Sequence, residues 1–206
     1  MNKIIPFIFA CLLLQSFTVQ SEEFDPYTLP AEHYNDASIK DKAEFSDKKG
    51  NQFRIKNSKY SRGLYIRHDK KWKKHGIFYS LSSGRVTSQT TYHYGEKNGP
   101  HLSFHSNGKV SFQYNYFEGK KHGQWYQYRD NGSLVEEKEY KNGLKDGPRT
   151  SYFSRKDGQT GPIQFTSTNV KGKTHGEKLQ YNEDGKIVAR SQYNMGKKIG
   201  KTQWSH

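Results

Sequence analysis

The sequence predicts an all-β fold, an elongated antiparallel β-meander built of β-hairpin repeats of about 24 residues. Three observations lead there. The apolar surface comes largely from 15 tyrosines and 12 phenylalanines, residue types that suit strands better than helices. A glycine-marked stretch recurs along the chain at a near-constant interval. Each recurrence carries an Asn–Gly or Asp–Gly type of turn between short runs with period-two alternation. The aromatic content of 15% also separates the chain from intrinsically disordered sequences of similar charge.

The N-terminus is a separate element. Residues 1–21 read as a secretory signal peptide: Lys3, an apolar run from Ile4 to Leu14, then a polar zone in which Val19 and Ser21 fit a cleavage site before Glu22. The run is too short and too poorly flanked for a stable membrane span. Cys11 bisects the apolar run instead of ending it, so it is expected to leave with the signal. The mature chain then has neither disulfides nor thiolate chemistry. The protein is expected to be periplasmic or secreted.

Residues 22–71 are expected to form a lead-in or cap. Between 22 and 50 they carry eight acidic and four basic side chains, with Pro26, Pro30 and an irregular pattern. The whole chain has a net charge of +14, so the remainder is strongly basic.

Residues 72–206 hold the repeats. With Gly76 as marker, equivalent glycines stand at Gly99, Gly123, Gly147, Gly176 and Gly200, at steps of 23, 24, 24, 29 and 24 residues. Five positions after the marker comes an aromatic: Phe104, Tyr128, Tyr152, Tyr181. A turn glycine follows in "HSNG", "RDNG", "RKDG" and "NEDG", then an aliphatic at Val86, Val110, Leu134 or Ile187, then Tyr92, Tyr116, Tyr140 or Tyr193. The fourth unit departs, with about five extra residues near "GQTGPIQF" and Val170 in place of the tyrosine. Each unit thus forms one hairpin, and the "GxxxG" segments turn the chain into the next. A lone hairpin is unstable in water, so stacking must pair the edges and build a tyrosine ladder.

The stretches "YFEGKKHGQWYQYRDNGSL" and "YNMGKKIG" resemble the bacterial variant of the MORN repeat, found in YwqK-type antitoxin proteins. The resemblance spans about residues 72–204. It implies an elongated platform with no active site in the repeat itself, and a toxin or effector as the partner that such a protein neutralises.

The residues themselves suggest no enzyme. His75, His122 and His175 each precede a marker glycine, but they lie two units apart, roughly 20 Å, too far for one zinc with its ~2 Å bonds. They are read as exposed turn residues, with no metal and no cofactor. Glu136, Glu137 and Glu139 are divided between faces by strand alternation, and no catalytic residues are assigned. An exported protein rarely meets nucleic acid, so none is expected as a partner.

A protein partner is expected instead. The second residue after each marker varies and points away from the ladder: Phe78, His101, Trp125, Arg149 and Lys178 form the candidate partner-facing row. The alternative is an envelope-associated scaffold, in which loops such as "KKWKKHG" and "GKKHG" hold an anionic lipid surface by charge.

Overall fold

The computed structural model describes residues 44–46 and 49–205. The expected signal peptide, with Cys11 and the cleavage site before Glu22, lies outside the described residues.

The described chain forms one 14-stranded antiparallel sheet in which the strand order follows the chain order. The strands are β1 (Glu44–Ser46), β2 (Gln52–Asn57), β3 (Ser61–His68), β4 (Lys71–Ser82), β5 (Arg85–His93), β6 (Glu96–Phe104) and β7 (Val110–Phe117). Then come β8 (Lys120–Tyr128), β9 (Leu134–Lys141), β10 (Leu144–Ser154), β11 (Thr160–Val170), β12 (Lys173–Tyr181), β13 (Ile187–Asn194) and β14 (Lys197–Trp204). The all-β meander is as the sequence predicts. The sheet does not start at residue 72: β2 and β3, within the segment read as a lead-in, pair in register with the rest.

Two kinds of turn alternate, one along each margin. At the short-turn margin two residues connect the strands, as at Glu118–Gly119, where φ is +47° and +73°. Two successive positive φ values define the turn whose twist matches that of paired strands, and glycine takes the second at little steric cost. At the long-turn margin, sequences such as "RDNG" close with the Gly132 N–H donating to the Arg129 carbonyl at 2.9 Å.

The marker glycines are not turn residues. Tyr114 pairs with Trp125 and Asn115 with His122, so Gly123 and Gln124 bulge away from β7. Gly123 takes φ +74°, the left-handed conformation such bulges need. The bulge spans two residues, so side-chain alternation survives it. Across β9, Gly123 faces Tyr140; Gly76, Gly99 and Gly176 likewise face Tyr92, Tyr116 and Tyr193. A cross-strand ring compensates best where a glycine leaves backbone bare. In the fourth unit Gly147 faces Asn169, so Asn169 and not Val170 holds the tyrosine position. The extra residues of that unit lengthen β10 and β11 and are absorbed by register shifts at Tyr152.

Successive units are fastened at the short-turn margin by a backbone bond. The turn glycine of each unit donates to the residue two before the preceding marker: Gly95 to Lys74 (2.8 Å), Gly119 to Lys97 (2.9 Å), Gly143 to Lys121 (2.8 Å), Gly172 to Lys145 (2.7 Å) and Gly196 to Thr174 (2.7 Å).

Candidate functional site

The five residues expected to meet a partner do fall in one line across the sheet. Register pairs Phe78 with Thr90, Thr90 with His101, His101 with Tyr114, Tyr114 with Trp125, Trp125 with Lys138, and Lys138 with Arg149. Lys178 continues the line opposite Ser191. Trp125 and Tyr126 point to opposite faces, as alternation requires. The line is not a free surface, however. Phe78, His101 and Trp125 are buried at 5%, 9% and 7% exposure, while Arg149 and Lys178 are half-buried. They share their face with Tyr92, Tyr116 and Tyr140; the Tyr92 ring packs on Phe78 and that of Tyr116 on His101, while Trp125 packs against Phe112 and Lys138. The expectation of an outward-facing row is corrected for the first three.

This face, here called the rung face, holds its side chains by ring–cation contact. In register Tyr92 stands opposite Lys97, Tyr116 opposite Lys121, Tyr140 opposite Lys145 and Tyr193 opposite Lys198, and the ring–cation contacts run mostly to diagonal neighbours. The Lys74 ammonium lies 4.9 Å from the Phe78 ring centre and 4.8 Å from that of Tyr92. Lys97 lies 4.8 Å from Tyr116, and Lys121 4.4 Å from Tyr114 and 5.5 Å from Tyr140. Most lysines that looked like loop charges in "KKWKKHG" and "GKKHG" are strand residues, Lys70 alone lying in a turn, and Lys74 and Lys121 are half-buried against aromatic rings. Half-burial keeps water from screening the contact fully, which strengthens it.

At the middle of the face the line becomes ionic. Lys138 stands 3.7 Å from the Trp125 ring centre and donates to Glu136 at 2.7 Å. Arg149 donates to the other oxygen of Glu136. Burial opposes the charge on Glu136, but the hydrogen bonds from Lys138 and Arg149 outweigh it and hold the carboxyl below its usual range. Arg149 and Lys178 lie 4.7 and 4.9 Å from the Phe165 ring centre. Asn169 is buried at 6%, and its side-chain oxygen has no hydrogen-bond partner in the described structure.

The rung face is also one-signed. In the paired stretches of β4 to β14 it carries Lys74, Lys97, Lys121 and Lys138, and further on Lys145, Arg149, Lys178 and Lys198. Glu136 is its single carboxylate among the described residues of those stretches; Glu137, Glu139, Asp146 and Glu177 alternate to the other face. Glu137 there accepts from the Tyr152 hydroxyl at 2.6 Å, beside the stacked Tyr126 and Tyr128 rings.

The histidines divide. His101 is buried, with Nδ1 2.8 Å from the Thr90 hydroxyl and Nε2 3.0 Å from that of Ser103. Burial, then the charges of Lys97 and Lys121, lower its pKa to about 4. His122 and His175 are exposed as expected, but His75 is buried at 6%, and burial followed by His93 lowers its pKa to about 4. His75 and His175 also share a task the sequence did not suggest. Nδ1 of each accepts the backbone N–H of the first turn residue at the short-turn margin, Tyr94 and Met195, at 3.4 Å. Among the described residues no three His, Cys, Asp or Glu side chains group as metal ligands.

The arrangement defines a class, a β-repeat scaffold whose side-chain chemistry is renewed at each hairpin. Three segments, residues 97–118, 121–142 and 174–195, match the model of the MORN repeat variant. Each match runs from the residue two before a marker glycine to the first residue of the next short turn, so the matched unit is one structural hairpin. This repeat is not the signature of an enzyme family. No curated protein sequence matches the chain.

Proposed function

We propose that this is an exported repeat scaffold that binds another protein, a toxin or effector that it neutralises. The observation that supports binding to a protein is at the short-turn margin. Tyr94, Phe117, Leu144, Met195 and Ile199 lie there, 36%, 51%, 52%, 40% and 51% exposed. Phe117, Leu144 and Ile199 alternate to the face opposite the rungs. Of the eight large apolar side chains exposed among the described residues, these five lie along one margin rimmed by lysines, the composition of a protein-recognition surface and not of a purely electrostatic one. The choice of a toxin or effector rests on the resemblance of the repeat alone.

The test is a pull-down from envelope extract at low and high salt, with anionic liposome co-sedimentation beside it. A single partner, retained at high salt, lost on Phe117→Ala with Leu144→Ala and identified as a toxin or effector, supports the reading. Salt-labile retention on liposomes, indifferent to both substitutions, overturns it in favour of a scaffold held on anionic lipid by charge.

A further inference from the structure

We infer that the rung face is a binding track for an extended, acidic segment of a protein partner, lying across the strands. This rests on the protein-binding reading above and names the chemistry of the partner.

The first ground is charge that nothing within the described sheet neutralises. Lys74, Lys97, Lys121 and Lys145 stand at the same position in four successive units, two before each marker glycine. None of them is within ion-pair distance of a carboxylate in the described structure, whereas Lys138 and Arg149 share Glu136. Each carries an ammonium with three N–H donors; Lys74, Lys97 and Lys121 rest against aromatic rings, Lys97 also donates to the Tyr116 hydroxyl at 3.4 Å, and none of the four has a carboxylate acceptor within the described sheet.

Spacing narrows the ligand. Strands lie about 4.8 Å apart, so rungs two strands apart recur about every 10 Å. An extended polyproline-type segment rises about 3.1 Å per residue with three residues per turn. A carboxylate at every third residue therefore recurs about every 9 Å, always on the same side. A peptide of that pattern can set one carboxylate on each lysine of the track. The track is broken at Thr174, where the fifth unit has no lysine, and resumes at Lys198.

Two other polyanions fit less well. A twisted sheet turns by about 20° per strand, or on the order of 200° between β4 and β14, so a flat bilayer can touch only a few rungs while a flexible chain can follow them all. Single-stranded nucleic acid gains its affinity from stacking on open aromatic faces. Here Tyr92, Tyr114, Tyr116, Trp125 and Phe165 already carry the protein's own cations on their faces.

The experiment uses the full chain and three probes: a labelled (Glu-Pro-Pro)5 peptide, a single-stranded oligothymidylate, and vesicles containing phosphatidylglycerol. A peptide of the same composition with its glutamates in one block is the control. Fluorescence anisotropy is expected to show the spaced peptide binding more tightly than the block peptide. The triple variant Lys97→Gln, Lys121→Gln, Lys145→Gln should weaken it about tenfold or more, against less than about twofold for Lys120→Gln, Lys141→Gln, Lys201→Gln on the opposite face. Lysine acetylation of the unaltered protein removes dependence on the variants' folding: Lys97, Lys121 and Lys145 should be protected by the spaced peptide while Lys120, Lys141 and Lys201 are not. Equal binding of the two peptides, equal protection of both faces, or tighter rung-face binding of the oligonucleotide or vesicles overturns the inference. If it falls while a captured partner still depends on Phe117 and Leu144, the protein-binding reading stands; if no partner is captured and vesicles bind, both fall.

Discussion

At the N-terminal end of the sheet, Phe53, Ile55, Leu64, Ile66, Tyr79 and Leu81 form a buried apolar cluster on the face opposite the rungs, with Leu64 at 0% exposure. From β6 onward polar residues predominate among the buried ones: His101, Glu136, Lys138, Ser151, Ser167 and Asn169 are under a tenth exposed and lie on the rung face, with Trp125 and Ala189 the buried apolar residues of those described strands. One repeat is thus held together in two ways and from two sides. The first units rely on apolar burial, which is insensitive to direction and proportional to area. The later units rely on ring–cation contacts, one ion-pair cluster and turn-to-strand backbone bonds, all of which need specific partners in register. A repeat array tolerates this because each unit touches only its neighbours, so each interface can be solved separately.

Breaking the apolar end should have the largest effect. Leu64→Ala removes a fully buried side chain and should cost about 3 to 4 kcal/mol, read as a lower melting temperature. Hydrogen exchange should place the loosened amides in β2 to β5, with β10 to β14 unchanged; uniform loosening would mean that the array behaves as one cooperative unit.

The counterpart in the later units is Glu136→Ala. It leaves Lys138 buried without its carboxylate and deprives Arg149 of its partner, and should cost about 3 kcal/mol by the same melt. Lys138→Met on the Glu136→Ala background should recover part of that loss, because an apolar side chain at 138 removes the stranded charge. No recovery would show that the cluster acts through something other than burial of charge.

Acid should act next, on one residue of each region near their junction. His75 and His101 have folded pKa values lowered to about 4, below the ordinary 6.5 of an unfolded histidine. The unfolded state therefore binds more protons between those values. Their neutral burial contributes fully above about pH 6.5 and is lost as pH falls toward 4. Both lie in β4 and β6, so exchange protection should fall there first, and His75→Phe should flatten the dependence in β4. A fall that begins in β12 to β14 would contradict this.

The smallest effect is expected at the exposed pair Arg190–Glu177, 3.1 Å apart with both side chains over two-fifths exposed. Glu177→Gln should change stability by less than about 0.5 kcal/mol, within the scatter of a melt.

How much of this was legible in the sequence depends on the range of the interaction. The hairpin period, the positions of both turn types and the strand class follow from residues a few positions apart, because positive φ at Gly119 or Gly132 and period-two alternation are local properties of the backbone. The candidate row Phe78, His101, Trp125, Arg149, Lys178 was also found as a row, since alternation alone places Trp125 opposite Tyr126. Alternation does not say which face will be covered. That was decided by what stands across the strand: Tyr140 opposite Gly123, Lys138 against Trp125, Glu136 within reach of Arg149. The bulge at each marker glycine set those partners, and it lies in the register between strands, not in either strand's own sequence. The same limit applies to Asn169, one residue from the tyrosine position inferred by counting, and to β2 and β3, which carry no marker glycine yet hold the apolar end of the sheet. The sequence by itself determined that this chain is a ladder of hairpins; only the pairing of strands decided which side chains form its rungs, because burial and ion pairing depend on neighbours more than ten residues away.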